Sequence, residues 1–178
     1  MNDIAEKLQA ALPGIKLWIE RTLQDHISVA TPVSESPFLR LKDHYPDVFL
    51  ARARVVVVPR VPFPPVSQLG LPEFRAMELM SLAGVTYKDT FFVCDGQQTN
   101  SLYFHELVHV VQWDRLGVDN FLLAYAVGLM QHGYEQSPLE QMAYRLQTAF
   151  EQHRVPKNLL DFIDAQTDAV WSAALQFL

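Results

Sequence analysis

The pattern of apolar and polar positions separates the chain into a mixed first half and a helical second half. Helical spacing of apolar residues runs through the first thirty residues and is interrupted at Pro13 and Gly14, which predicts two helices or one kinked helix. Residues 31–47 contain three prolines and little periodicity, so we expect an irregular segment there. Four consecutive valines in Arg54–Val58 are typical of a strand that is buried on both faces.

A short helix and a hairpin are predicted before the helical half begins. Helical spacing returns over residues 73–83 and ends near Gly84. Residues 85–87 and 90–94 are two short apolar runs on either side of Lys88 and Asp89, which favours an antiparallel hairpin.

The sequence beyond residue 100 has a helical pattern throughout. Glycine, proline and capping residues divide it into four predicted helices, 101–116, 121–131, 137–153 and 158–178. A helical bundle with a small sheet belongs to the α+β class. The length suits one domain, residues 1–178, in which we distinguish an N-terminal part, a core and a C-terminal helix, at 1–83, 84–153 and 157–178.

Composition excludes several classes of protein. The 14 Lys and Arg against 20 Asp and Glu give a net charge of −6 and form no basic cluster, so we expect no nucleic-acid partner. The single cysteine, Cys94, excludes a disulfide within the chain and a thiolate-rich zinc site.

Neither a membrane segment nor a leader is predicted. The longest apolar stretch, 121–130, is about half of the roughly 20 residues that span a bilayer, so we expect no membrane partner. The first residues lack the basic and apolar regions of a signal peptide. We therefore expect a cytoplasmic protein, with secretion by a route that reads no leader as the alternative.

One segment carries recognisable chemistry: His105-Glu106-Leu107-Val108-His109. Histidines four residues apart on a helix share one face, so both rings can bind the same metal ion. Glu106 is turned by one residue, which places its carboxylate beside the ion, where it can take a proton from a water molecule. Zn²⁺ suits imidazole ligands and leaves a position open for water when the protein supplies three ligands.

A third ligand has to come from elsewhere in the sequence. A further histidine six residues after the motif is excluded, because that position is Arg115. The downstream candidates are Asp114, Asp119, His132, Glu135 and Glu140. The two aspartates lie at or beyond the end of the motif helix and point away from it. We favour Glu140, because the first turn of the helix after Ser137 returns to the site, with Glu135 and then His132 as alternatives.

A local interpretation of Glu140 competes with this assignment. Ser137-Pro138-Leu139-Glu140 fits the capping box, in which the glutamate accepts a hydrogen bond from the amide of the N-cap serine. That role alone explains a glutamate at this position. His132 is interpreted as a residue near the end of its helix, where a charged imidazole is favourable.

Residues 105–112 (HELVHVVQ), the apolar helix with Tyr125, and residues 134–144 (YEQSPLEQMAY) together resemble a known family. This is the small HExxH-plus-Glu domain of bacterial metallopeptidases often associated with contractile injection systems and toxins. It is similar in plan to minimal gluzincins, thermolysin-like zinc peptidases reduced to their active-site core. The resemblance covers roughly residues 84–152.

The resemblance implies a ligand set and a way of binding substrate. The glutamate of the family's Pro-x-Glu-x-x-Ala element corresponds to Glu140, with Ala143 three residues further on. An edge strand beside the motif helix binds an extended peptide in such sites, and Thr90–Cys94 is the expected strand. The alternative is that Thr90–Cys94 is a core strand beneath the motif helix.

Accessory residues are less well defined by the sequence. Three tyrosines are candidate hydrogen-bond donors to a developing oxyanion: Tyr125, Tyr134 and Tyr144. Tyr134 is preferred, because it precedes the third of the predicted helices near the expected site. Candidate partners for a ligand histidine are Gln112, Asp164 and Asp168.

Two functions follow from these patterns. The first is a zinc metallopeptidase acting on a peptide or protein substrate, with His105, His109 and Glu140 as ligands and Glu106 as general base. The second is a catalytically inactive metal-binding accessory or cargo module of a secretion or toxin system, with a partner from that system. Glu106 favours the enzyme, because a purely structural metal site needs no base.

Overall fold

The computed structural model describes residues 2–178, with side chains from Ala5 onward. Its helices are α1 (Asn2–His26), α2 (Asp47–Arg52), α3 (Arg75–Glu78), α4 (Asn100–His132), α5 (Pro138–Glu151) and α6 (Leu159–Ala174). Its strands are β1 (Thr31–Pro32), β2 (Arg54–Val58), β3 (Gly84–Tyr87) and β4 (Thr90–Cys94). Short 3₁₀ turns occupy Val33–Glu35, Leu39–Asp43, Pro72–Phe74 and Leu175–Phe177. The predicted α+β class is confirmed.

The N-terminal region is a single helix, although the sequence predicts an interruption. α1 continues through Pro13, so a division into two helices is wrong. The helix buries one face along its length, at Leu8, Ala11, Ile15 and Ile19. Packing of this face against the core stabilises the helix enough to outweigh the cost of an internal proline.

The sheet has the order β1-β2-β4-β3, which places β4 in its interior. β2 pairs with β4 in parallel, and β3 pairs with β4 as the predicted antiparallel hairpin. The expectation that Thr90–Cys94 is an edge strand is therefore wrong, since parallel pairing with β2 covers its outer side. The edge strand on this side of the sheet is β3.

Two local predictions in the first half need correction. The valine strand β2 is not buried on both faces throughout, because Val57 is 46% exposed. The helix predicted over 73–83 is shortened to a 3₁₀ turn and α3. Its last residues already belong to the sheet region, since the carbonyl of Ala83 accepts a hydrogen bond from the amide of Cys94.

The helical half follows the predicted boundaries closely. α4 begins after Thr99, whose hydroxyl caps the helix by accepting a hydrogen bond from the Leu102 amide. Gly117 has a φ of 71° and breaks α4 into two helical segments, at the position where the sequence predicts a helix end. The first segment of α4 contacts β3 through Trp113, α5 through Gln112 and α6 through Arg115. This packing buries residues 103–113, which include the motif, in the core.

Among residues 2–178, none of the helices combines the length and the apolar character needed to cross a bilayer.

Candidate metal centre

His105, His109 and Glu140 converge in the interior of the protein. The helical repeat of α4 places both histidines on one face, and the first turn of α5 brings Glu140 to them. The two Nε2 atoms are 3.1 Å apart. Oε2 of Glu140 lies 3.5 Å from Nε2 of His105 and 3.4 Å from Nε2 of His109. All three side chains are buried, and the group could hold a metal ion.

The dimensions of this triangle suit a small tetrahedral cation. Zinc–nitrogen and zinc–oxygen bonds of about 2.0–2.1 Å place neighbouring ligand atoms of a tetrahedral site about 3.3–3.4 Å apart. The three observed separations of 3.1, 3.4 and 3.5 Å bracket that value. Three donor atoms are thus arranged as one face of a tetrahedron.

Two glutamines orient the histidines. Nδ1 of His109 lies 2.8 Å from Oε1 of Gln112, and Nδ1 of His105 lies 3.1 Å from Oε1 of Gln147. A ring that donates its Nδ1 proton to an amide oxygen keeps a lone pair on Nε2, which is the form that binds a metal. Gln112 also donates to the carbonyl of Leu139, which links the motif helix to the turn carrying Glu140.

Of the sequence-derived candidates for these contacts, only Gln112 is found at the site. Asp168 accepts hydrogen bonds from Arg115 on the surface, and Asp164 is its neighbour. Gln147 is a contact that sequence reasoning missed. It lies seven residues after Glu140, two turns along the same face of α5, and this spacing is the signal that could have identified it.

The Glu140 carboxylate faces the two histidines and does not cap the N-terminus of α5. Oε1 accepts a hydrogen bond of 2.7 Å from the Tyr125 hydroxyl. Within the part of the chain that the structure describes, Oε2 has no hydrogen-bond partner, although it is buried. The amide of Ser137 instead donates to the carbonyl of Tyr134, so the capping box predicted as an alternative is not formed.

The alternative ligands lie away from the cluster. Glu135 and His132 are both exposed. Asp114 pairs with Arg52 on the surface, and Asp119 pairs with Lys16 at 2.6 Å. Glu140 is therefore the acidic residue that the structure brings to the two histidines.

Glu106 lies beside the cluster and is anchored by the edge strand. Its Oε2 accepts a hydrogen bond of 2.7 Å from the Thr86 hydroxyl. A Cβ atom at Gly84 would lie 2.3 Å from Oε1 of Glu106, so only glycine leaves room for the carboxylate. Sequence reasoning missed both strand residues. Their alternation on one face of β3 is a signal, but it acquires meaning only once β3 is known to face α4.

Burial controls the charge of Glu106. It raises the pKa of Glu106, an effect that the nearby His105 and His109 and the Thr86 hydrogen bond oppose. A carboxylate with a raised pKa holds a proton more firmly, which suits a group that has to accept one and later return it.

The three candidate tyrosines have different surroundings. Tyr125 bonds to Glu140, so it acts on a candidate ligand. The ring of Tyr144 packs against His105, with centroids 4.7 Å apart. Tyr134 lines the cavity beside the cluster, and burial raises its pKa, so its hydroxyl keeps its proton. Its role as an oxyanion donor stays a prediction.

The two histidines and the glutamate are electrostatically linked. Burial disfavours the charged form of His109, but the Glu140 carboxylate outweighs this effect and raises the pKa of His109 to about 9. Burial likewise favours the neutral form of Glu140, yet the charge on His109 and the close approach of both imidazoles to Oε2 hold the pKa of Glu140 well below its usual value. The metal-free site at neutral pH is thus a buried ion pair.

Metal binding at neutral pH is expected to release about one proton, since the ion displaces the proton of His109. Between pH 7 and 8.5 the apparent metal affinity should rise about tenfold per pH unit, because this window lies below the raised pKa of His109. Calorimetric titration with Zn²⁺ in two buffers of different ionisation enthalpy counts the released protons. An affinity independent of pH would contradict the assignment of His109 as a ligand.

An apolar chamber of about 120 Å³ adjoins the cluster. Its lining residues include His105, Glu106, His109 and Glu140. Its other walls come from α1, from residues 63–82, from β3 and from the second segment of α4. Half-buried side chains such as Leu12, Phe63 and Leu122 line it, so the chamber is not sealed from solvent.

Comparison of the chain with protein-family models, with curated proteins and with solved structures gives no match. The family resemblance of residues 84–152 and the secretion-system partner that it implies therefore stay predictions.

Proposed function

We propose that the protein is a zinc-dependent hydrolase that cleaves peptide bonds. The observation that carries the proposal is the buried triangle of His105, His109 and Glu140 with the carboxylate of Glu106 beside it. A metal site used only for stability needs no such neighbour. Among the described residues the cluster contains three donors, which is the number that leaves a position open in catalytic zinc sites.

The donor set favours zinc over other common cations. Two imidazoles and one carboxylate are ligands that Zn²⁺ prefers, whereas Mg²⁺ and Ca²⁺ prefer oxygen donors throughout. Both histidines bind such an ion as neutral imidazoles, so zinc binding requires His109 to lose the proton that it carries in the metal-free site.

A zinc ion held there would polarise the scissile carbonyl and lower the pKa of a water molecule. Glu106 accepts a proton from the water as its oxygen bonds to the carbonyl carbon. Glu106 then donates that proton to the amine nitrogen as the carbon–nitrogen bond breaks. Because Glu106 gives up the proton that it accepted, no net proton remains on the enzyme. The Thr86 hydroxyl keeps the carboxylate in position for both transfers.

The edge strand offers a place for the peptide backbone. β3 has β4 as its neighbour in the sheet and lies against α4, where Gly84 and Thr86 contact Glu106. The indole of Trp113 already donates to the Thr86 carbonyl. We therefore propose that an extended peptide pairs with β3 at its Gly84 end, rather than with β4.

Purified protein is expected to contain about one zinc ion per chain and to hydrolyse a pool of unstructured peptides. Stripping the metal with a chelator should abolish hydrolysis, and adding back one equivalent of Zn²⁺ should restore it. Elemental analysis and a fluorescence assay on quenched peptides provide the two measurements. Full activity in metal-free protein would reject the proposal, and so would a metal-replete preparation that lacks any transition metal.

A further inference from the structure

The chamber beside the metal centre has mostly apolar walls, whereas the centre itself consists of ionisable side chains. The ionisable side chains among its described lining residues are those of the metal centre together with three tyrosines. The remaining lining residues are aliphatic or aromatic apart from Gly84 and Thr86, and many come from the first 83 residues of the chain. Ten of its 26 lining residues thus come from the part of the chain to which no family resemblance extends.

Several polar atoms in the chamber wall already have partners within the protein. The hydroxyl of Tyr87 donates to the Pro62 carbonyl, and that of Tyr125 donates to Glu140. The indole nitrogen of Trp113 donates to Thr86. A charged or strongly polar group placed in the chamber would lose its hydration without gaining these partners, whereas an apolar group gains from leaving water.

The volume of the chamber indicates the size of the apolar group that it could accept. A cavity of about 150 Å³ with apolar walls is large enough to bind benzene, and the chamber is about 120 Å³. Such a space has the size of a branched aliphatic or a single-ring side chain.

We propose that this chamber is the specificity pocket of the enzyme and accepts one bulky apolar side chain, of the size of Leu or Phe, next to the scissile bond. This inference rests on the proposed peptidase function. Position supports it, because the chamber is continuous with Glu106 and both histidines, so a side chain held there leaves its own backbone at the reacting centre.

The direct test uses peptides of alanine and glycine that carry a single Leu, Phe, Ala or Asp at one position. The zinc-loaded protein should cleave the Leu and Phe peptides next to that residue, with kcat/KM at least about 50-fold above the Ala peptide and higher still above the Asp peptide. Mass spectrometry maps the bond that is cut. Equal cleavage of all four peptides, or a preference for Asp, would overturn the inference while leaving the peptidase in place.

Variants of α1 provide a matched pair. Leu12 lines the chamber, whereas Leu17 on the same helix is 51% exposed and is not among the lining residues. Leu12→Trp should fill the chamber and remove most of the preference for Leu over Ala, and Leu17→Trp should leave it unchanged. Ala126→Leu fills the chamber from α4 and serves if the first variant does not fold.

Binding of benzene to the metal-free protein tests the apolar pocket independently of peptide cleavage. Saturation-transfer NMR should detect benzene with the wild type and with Leu17→Trp, but not with Leu12→Trp. If benzene binds in this pattern while no peptide is cut, the proposed function fails and the apolar pocket stands. If benzene does not bind the wild type, the pocket itself is rejected.

Discussion

Replacing Glu106 with glutamine is expected to abolish peptide hydrolysis while the metal content stays at about one ion per chain. Glutamine has the same shape and can accept the hydrogen bond from Thr86, but it cannot take up the proton of a water molecule. Loss of a general base at this step should lower kcat by about 10²- to 10⁴-fold. Metal binding should persist, because the Glu106 carboxylate bonds to Thr86 and is not a member of the donor triangle. Steady-state kinetics and elemental analysis of the same preparation measure both effects.

Thr86 provides a graded control for this experiment. Thr86→Val keeps the carboxylate but removes its hydrogen-bond donor, so we expect an intermediate loss of about tenfold at unchanged metal content. Thr86→Ser keeps a hydroxyl in the same place and should restore most of the activity. Wild-type activity in Glu106→Gln would show that another group acts as the base.

The fold of the second half could be predicted because its elements are local. Helical periodicity together with single capping, glycine and proline residues defines α4 and α5. Gly117 breaks α4 at the position where the sequence predicts a helix end. The sheet could not be predicted in the same way. Its strand order depends on the parallel pairing of β2 with β4 across more than thirty residues, and no local pattern records that pairing. For this reason the sequence predicts the edge strand at Thr90–Cys94 rather than at β3.

In the candidate site, too, local sequence spacing predicts some contacts, whereas others depend on how distant elements pack. The spacing of His105 and His109 on a helix places them together without any knowledge of the rest of the fold. The spacing around Glu140 fits a helix cap as well as a ligand, and only the packing of α5 against α4 decides between the two roles. Thr86 lies twenty residues before Glu106 in the sequence, so its contact with the carboxylate depends entirely on how β3 meets the helix.

The removal of Glu140 is expected to have the second large effect, on metal binding rather than on the chemical step. Glu140→Gln keeps the hydrogen bond from Tyr125 but replaces a charged donor with a neutral amide. Loss of a partner outside the ligand set lowers metal affinity by about 10- to 100-fold, so loss of a ligand should exceed about 100-fold. Competition with a chromophoric chelator at fixed pH measures the two affinities.

Glu135→Gln is the matched control, because it makes the same chemical change five residues away at an exposed position. Zn²⁺ at 100 times its Kd should stabilise the wild type and this control by about 2.7 kcal/mol, seen as a rise in Tm. The same Zn²⁺ concentration should leave the Tm of Glu140→Gln almost unchanged. The opposite result, with Glu135→Gln losing the metal and Glu140→Gln keeping it, would move the third ligand to Glu135. Glu140 also raises the pKa of His109, so its replacement should reduce the number of protons released per bound zinc. A reduced proton count would show that the same glutamate binds the metal and pairs with His109 in the metal-free protein.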